Sequence, residues 1–406
     1  MHGGTKVWWV NQFAVQPSVS GGTRHYDMTA ELRRRGIDTR IVASDLGLHS
    51  RRYSVRKGPW DVKPYEQELE GVPFHFLPAG SYQRNDWRRS VSMLVFGVAS
   101  LLFLVTRRGR KAVVIGSSPH LFAALGAWAG ARLRRWPFVF EVRDLWPESY
   151  EAVSGTSGGA LYRVLRAIAD LLYLRADHIV VLAEGSRAAI EDRGIAAEKI
   201  TWIPNGVDVA AFPPRVDRPV TAPVRFVYTG AHGPANGLDI AIRAAAETKA
   251  RGREDIEVAL VGDGPVKPGL QALAHDLDAP VRFLDPVPKN EIASILEKSN
   301  VGLMVLADVE LFQYGVSPNK LFDYLAAGLP VLTNVPGFVT DVVTEAGSGL
   351  PVAAGDPSAL ADGMEQMADR LLAGSTWPSG RAYIERRFDR RALAGELESL
   401  LRSLTS

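Results

Sequence analysis

Asn319, Lys320 and Asp323 stand within five positions of one another in the stretch SPNKLFDYLAAG at residues 317–328. Ser317 as a cap, Pro318 in the first turn and Gly328 at the exit predict a helix. Positions three and four apart share a helical face. An amide and an ammonium therefore lie beside a carboxylate just where free backbone N–H groups and the positive dipole end collect. Such a corner suits an anion: Asn319, Lys320 and the amides would hold phosphate, while Asp323 would accept hydrogen bonds from ribose hydroxyls. Taken alone, Lys320 and Asp323 also read as an ordinary surface ion pair.

Other candidates stand after apolar runs. Gly21 and Gly22 precede an amphipathic helix in PSVSGGTRHYDMTAELRRRG, where glycine lets a backbone approach a ligand and the helix start offers N–H donors. Arg143 and Asp144 follow a strand in EVRDLWPES, and opposite charges beside apolar residues must pair or serve a site. FVYTGAHGPANGLD, with Gly230 and His232, and LVGDGPVK, with Gly262 and Lys267, end two further strands in glycines near a lysine. Backbone donors at close range plus a point charge suit a diphosphate. His25 in GTRHY and His120 in SSPHLF are candidates to touch an acceptor, and a structural role explains each as well.

These residues need strand ends to carry them. KVWWVN, DTRIVAS, PFHFLP, KAVVIG, PFVFEVRD, HIVVLA and ITWIPN alternate with helical stretches in the first half. After a Pro-rich break at 213–223, VRFVYTGA, IEVALVGDG, VRFLDPV, VGLMVLA and PVLTNV repeat the alternation. Alternation of this kind predicts βαβ units in parallel sheets, and continuous apolar strands predict burial on both faces. The expected organisation is α/β, with two Rossmann-like doubly wound domains at 1–212 and 213–380 facing a central cleft. A terminal helical segment at 381–406 follows the turn-rich STWPSG. Ligands of such sheets bind beyond the strands' carboxyl ends.

Among 406 residues, 46% are hydrophobic and 23% charged, ordinary for a globular chain of two domains, and the net charge of +2 supplies no global field for nucleic acid. Arginine is nevertheless crowded in the first third, at 33–35, 51–52, 88–89, 107–111 and 132–135. With no cysteine, disulfides and thiolate chemistry are excluded. The start, MHGGTKVWWVNQF, reads as no signal peptide, which predicts a cytoplasmic protein. The apolar run VSMLVFGVASLLFLVT at 91–106 is about 24 Å long as a helix, short of a span. Its flanks, WRRS and RRGRK, predict a peripheral contact of segment 87–111 with an anionic membrane face; a buried core helix is the alternative.

SGGTRHY, FEVRDLWPES, IPNGVD, VGDGP and SPNKLFDYLAAGLPVL, in this order over nearly the whole chain, resemble glycosyltransferase family 4 with the GT-B fold. The likeness is to the bacterial branch that builds O-antigen, capsule and exopolysaccharide, including colanic acid and N-acetylfucosamine transferases. The resemblance implies a retaining, metal-independent transferase without a cofactor. Its second domain would bind a nucleotide-sugar, most often a UDP-sugar, its first a lipid-linked or polysaccharide acceptor, and its terminal helix would return to the first domain. Catalytic duty then falls to Arg143, Asp144 and Lys320. Donor binding falls to Gly21, Gly22, Gly230, His232, Gly262, Lys267, Ser317, Pro318, Asn319 and Asp323, and acceptor binding to His25 and His120.

Two positions depart from the family pattern. The E-x7-E motif maps onto Gly315 and Asp323, so Asp323 keeps the ribose-binding carboxylate and Gly315 lacks the first, leaving Asp308 or Glu310 as replacements. The basic pair after the first strand of the second domain maps onto Ala231 and Asn236, which moves its duty to Lys267 and Lys320. Two other readings stay open: a GT-B-like sugar-nucleotide epimerase, and a non-catalytic nucleotide-sugar-binding subunit.

Overall fold

The computed structural model describes residues 5–47, 51–82, 87–109, 111–149, 151, 159–216, 219–309 and 316–405. It divides into two compact units. Unit 1 holds residues 1–16, 22–204 and 390–406; unit 2 holds 17–21 and 205–389.

Unit 1 runs β1 (Lys6–Val10), α1 (Arg24–Arg34), β2 (Asp38–Ala43), β3 (Tyr65–Leu69), β4 (Val72–Phe76), α2 (Trp87–Thr106), β5 (Ala112–Ser117), α3 (Leu121–Arg134), β6 (Phe138–Val142), α4 (Ala160–Arg175), β7 (His178–Val181), α5 (Ser186–Glu191) and β8 (Ile200–Trp202). The strands form one eight-stranded sheet in the order β3-β4-β2-β1-β5-β6-β7-β8. Every pairing is parallel except β3 with β4. The order reverses between β1 and β5, so the crevice expected of a doubly wound sheet opens beyond those two strands. All seven strands expected in this half form. β3 (YEQEL) escaped notice because three of its five residues are polar and exposed, two of them charged, as an edge strand permits.

Unit 2 runs β9 (Val224–Thr229), α6 (Leu238–Ala250), β10 (Ile256–Val261), α7 (Lys267–Asp276), β11 (Val281–Leu284), α8 (Ile292–Glu297), β12 (Val301–Met304), α9 (Asn319–Ala326), β13 (Val331–Thr333), α10 (Phe338–Glu345), β14 (Gly349–Pro351), α11 (Pro357–Leu372) and α12 (Arg381–Arg387). Its parallel sheet has the order β11-β10-β9-β12-β13-β14, reversing between β9 and β12. Its core gathers Phe226, Tyr228, Val258, Leu260 and Leu303 with Met364 and Met367 of α11. Residues 205–216 already belong to this unit: Phe212 is buried, and Arg215 donates to Ser299 O at 2.7 Å.

The tail makes two helices. α12 stays in unit 2, where Arg381 donates to Ala326 O at 2.8 Å. The last helix, α13 (Arg390–Ser403), completes unit 1 by burying Leu393, Ala394, Leu397 and Leu401 against Val7, Trp9, Met28 and Leu32. Arg390 pairs with Asp27 of α1.

Helix α2 is 20 residues long, four more than the apolar run, because Trp87–Ser90 extend it. At about 30 Å it is long and apolar enough to cross a membrane by length and composition, and a third of its most apolar stretch is buried. It serves as the crossover between β4 and β5 and packs closely on α3. A Cβ at Gly97 or Gly126 would overlap the facing backbone, and one at Gly130 would press on Leu104. The buried face holds Ser92, Phe96, Gly97 and Ser100; Val91, Leu94, Val98, Leu102 and Val105 point outward.

Candidate functional site

In unit 2 the strand ends of β9 and β10 and the start of α9 meet at the reversal of the sheet. Gly230 and Gly262 end their strands at φ +151° and +146°, and a Cβ at Gly262 would overlap Gly230 O. Only glycine allows these two turns to stack so closely. The Lys320 side chain lies over them: its Cε is 3.3 Å from where a Gly230 Cβ would stand, and its Nζ is 4.5 Å from the Tyr228 ring centre. Nζ donates to Asn236 Oδ1 at a long 3.4 Å. Lys320 forms no ion pair with any described residue, and burial pulls its pKa down to about 8. Lys320, expected with Lys267 to take over the duty of the family's basic pair, does stand beside Asn236, one of the two positions onto which that pair maps. Ala231 contributes only its carbonyl, which accepts from Tyr228 Oη at 2.9 Å.

Helix α9 starts at Asn319, with Pro318 rather than Ser317 at the cap position. Ser317 faces the other way: its Oγ accepts the Asn205 N–H at 2.9 Å and its carbonyl accepts from the Asn205 amide, fixing the NG turn of IPNGVD. The exit is as expected, with Gly328 at φ +74°. Asp323 is buried; Lys289 Nζ holds its Oδ2, and its Oδ1 has no partner among the described residues. Lys289 follows β11 and was missed. The rule that strand carboxyl ends carry function, applied to VRFLDPVPKN, points to it.

Two donor-side assignments change. Lys267 does not present a free charge, since its Nζ binds Gly262 O at 2.9 Å and reaches Leu284 O and Asp285 at 3.4 Å. A lysine opening the helix after a strand can reach back to the carbonyls at that edge, and these hold it. His232 is fully buried between Tyr228 and Phe283, both ring nitrogens without partners among the described residues, and burial lowers its pKa, with the Lys267 charge adding to the effect. Asp308 is exposed with its side chain against Gly355. Glu310 and Gly315 lie outside the described residues.

In unit 1 the crevice beyond β1 and β5 holds a closed charge network. Glu141 of β6 pairs with Arg24 Nε at 2.9 Å and accepts from Ser117 Oγ at 2.7 Å. Arg24 also donates to Ile203 O at 3.0 Å and to Pro204 O. Burial alone would push the Glu141 carboxyl up, but the Arg24 guanidinium, with help from His25 and Ser117, holds it far below the usual carboxylate range. His25 is the correction here. Its ring is 1% exposed, and Nε2 meets Asn11 Nδ2 at 3.0 Å, Ser117 Oγ at 3.1 Å and Glu141 Oε2 at 3.2 Å. Every contact faces inward, so His25 is a core residue and not an acceptor ligand.

His120 behaves differently. It caps α3, its Nδ1 accepting the Ala123 N–H at 3.0 Å, which places the neutral ring's proton on Nε2. That nitrogen is buried with no described partner, and burial lowers the pKa to about 3. Arg143 and Asp144 form no ion pair with each other: Ser118 Oγ accepts the Arg143 N–H at 2.9 Å and donates to Asp144 O at 3.2 Å. Arg143 Nε has no partner among the described residues, and Asp144 is exposed beyond β6. Gly21 and Gly22 are exposed in the loop before α1, Gly21 at φ +148°. Among the described residues, no three His, Asp or Glu side chains gather where they could hold a metal.

Known proteins with this arrangement can now be compared. The colanic acid biosynthesis glycosyltransferase WcaL of Salmonella typhimurium, named as putative, is 24% identical over 238 residues, 57% of this chain and 58% of its own length. The chain thus spans about three-fifths of that relative. A D-inositol 3-phosphate glycosyltransferase of Corynebacterium efficiens is 24% identical over 96% of this chain and 93% of its own. Sucrose-phosphate synthase from Thermosynechococcus elongatus superposes with a TM-score of 0.73 at 16% identity, covering 99% of both chains. Anabaena Alr3699/HepE in complex with UDP gives 0.70 at 16% identity, covering 98% of this chain and 100% of its own. These likenesses establish the GT-B fold. Residues 21–206 match the glycosyl transferase 4-like domain and residues 223–370 the glycosyl transferases group 1 domain, and with both domains present in order the chain belongs to the GT-B glycosyltransferases of this family.

Proposed function

We propose that the protein transfers a sugar, with retention and without a metal, from a UDP-sugar to a lipid-linked or polysaccharide acceptor at the inner face of the cytoplasmic membrane. The observation that carries the reading is Lys320: a half-buried ammonium with no acid partner among the described residues, standing at a helix start above a floor that only glycine can form. Such a fixed charge suits the diphosphate of a leaving nucleotide. Asp323 Oδ1, without a partner among the described residues, is suited to a ribose hydroxyl.

In this mechanism Lys320 and the first amides of α9 stabilise negative charge on the diphosphate as the bond from the anomeric carbon to phosphate oxygen breaks. The acceptor hydroxyl attacks from the same face and gives its proton to the departing oxygen. His120 Nε2–H and Arg143 orient sugar hydroxyls. The outward aliphatic row of α2, bounded by Trp87, Arg88, Arg107 and Arg108, supports peripheral contact with a bilayer.

The test is thermal unfolding with UDP-, GDP- and TDP-sugars in the presence of EDTA. A ligand at 100 times its Kd adds about 2.7 kcal/mol. Stabilisation by the UDP series is expected; its absence with every nucleotide overturns the donor site.

A further inference from the structure

The candidate donor and acceptor residues lie at the carboxyl edges of the two sheets. At the opposite edge of unit 1's sheet is a cavity of about 740 Å³. It is lined where four parallel strands begin: Lys111 precedes β5, Phe138 opens β6, Asp177 precedes β7 and Lys199 precedes β8. Arg132 and Arg135 at the end of α3 and Arg175 at the end of α4 bring the cations around it to five.

Asp177 is the one acid among the lining residues, and its carboxylate already accepts the Phe138 N–H at 2.8 Å. Lys111, Arg132, Arg135 and Arg175 form no ion pair with any described residue, and Lys199 reaches only Leu174 O at 3.4 Å. Complementing a helix C-terminus accounts for one or two such cations. Five against a single carboxylate around one cavity make a focused positive field.

The surroundings are apolar. Leu133 and Leu174, in the last turns of α3 and α4, are 68% and 59% exposed. The outward row of α2 descends through Leu102 and Val105 to Arg107, Arg108 and then Lys111 at this same edge. Exposed aliphatics set among cations match a lipid surface, whereas a soluble polyanion has no use for the aliphatics.

We propose that this cavity seats the phosphate headgroup of an anionic phospholipid while Leu133, Leu174 and the α2 row enter the acyl boundary. Unit 1 then docks through the outer face of α2 and the amino-terminal edge of its sheet. The inference rests on the membrane-facing reading of α2 and adds a headgroup site to it.

The test is co-sedimentation of the full chain with phosphatidylcholine vesicles, with and without phosphatidylglycerol. Arg132→Gln with Arg135→Gln, and separately Arg175→Gln with Lys199→Gln, are expected to lose roughly thirtyfold in affinity for phosphatidylglycerol vesicles, at about fivefold per cation. Their unfolding temperatures and their stabilisation by UDP should not change. Leu94→Asp with Val98→Asp is expected to lose binding to vesicles of either composition.

Undiminished binding by both cation variants overturns the headgroup site and spares the α2 reading; no vesicle binding by the wild type overturns both. Wild-type protein that ignores vesicles but is stabilised by inorganic phosphate, with the effect lost in the cation variants, shows a soluble-anion site instead. Failure of the donor reading would show separately, as wild-type protein unmoved by UDP without vesicles.

Discussion

Arg24 of unit 1 and Lys320 of unit 2 are both cations drawn out of water beside the reversal point of a parallel sheet, yet their surroundings differ. Arg24 has a buried carboxylate and two backbone carbonyls, and Glu141 in turn has Ser117 and His25. Lys320 has an aromatic face and one long contact to an amide. A desolvated charge with every partner supplied by its own fold is part of the scaffold. One left short of partners is destabilised until something anionic arrives, which is how a binding site differs from a core.

The difference is sharpest in Glu141→Gln, which leaves the Arg24 guanidinium buried without a counter-charge. We expect a loss of about 3–5 kcal/mol, read by urea unfolding. A loss below about 1 kcal/mol would remove the contrast altogether.

Lys320→Ala should do the reverse, leaving stability nearly unchanged while weakening UDP binding by roughly tenfold to a hundredfold in calorimetry, the worth of a charge-assisted contact of about 1.5–3 kcal/mol. pH sharpens this. The folded pKa of Lys320 is about 8 against 10.5 for the ordinary lysine, so the unfolded chain holds the proton over a window in which the folded one has lost it. This group's contribution therefore makes folding more favourable as pH rises from about 8 to 10.5. UDP affinity should fall as pH rises through about 8, and Lys320→Ala should flatten that fall. The same slope in both proteins would assign it elsewhere.

Asp323→Asn is expected to cost about tenfold in UDP affinity, near 1.4 kcal/mol, with no further loss when the ribose lacks its hydroxyls. A deoxyribose penalty that persists in the variant would detach Asp323 from the ribose. The smallest effect expected is that of His120→Ala, about 1 kcal/mol of stability for the lost cap of α3. A lowered kcat beside this loss is expected from its part in orienting sugar hydroxyls, and an unchanged kcat would confine His120 to the scaffold.

Legibility followed burial. The apolar strands were readable because a parallel sheet covered on both faces leaves a continuous hydrophobic run. β3 and β14 were not: Tyr65–Leu69 is charged at an edge, and Gly349–Pro351 is only three residues long. Lys320 and Asp323 were legible because helical spacing makes neighbours of them. Lys289 was not, because nothing local relates position 289 to 323, and Lys267 was misread because its carbonyl partners on β10 and β11 are set by the sheet.

By itself the sequence determined the alternating α/β architecture, the family, the helix start that carries Lys320 and the crowding of arginine in the first third, since each rests on short-range periodicity or on residue type. Tertiary structure alone decided which charges are satisfied. It closed His25 into the Glu141 network, tied Lys267 to strand-end carbonyls, left Lys320 and His120 Nε2 short of partners and gathered scattered arginines around one cavity. The physical reason is that a charge's energy depends on what surrounds it within a few ångströms, and the chain folds partners there from far along the sequence.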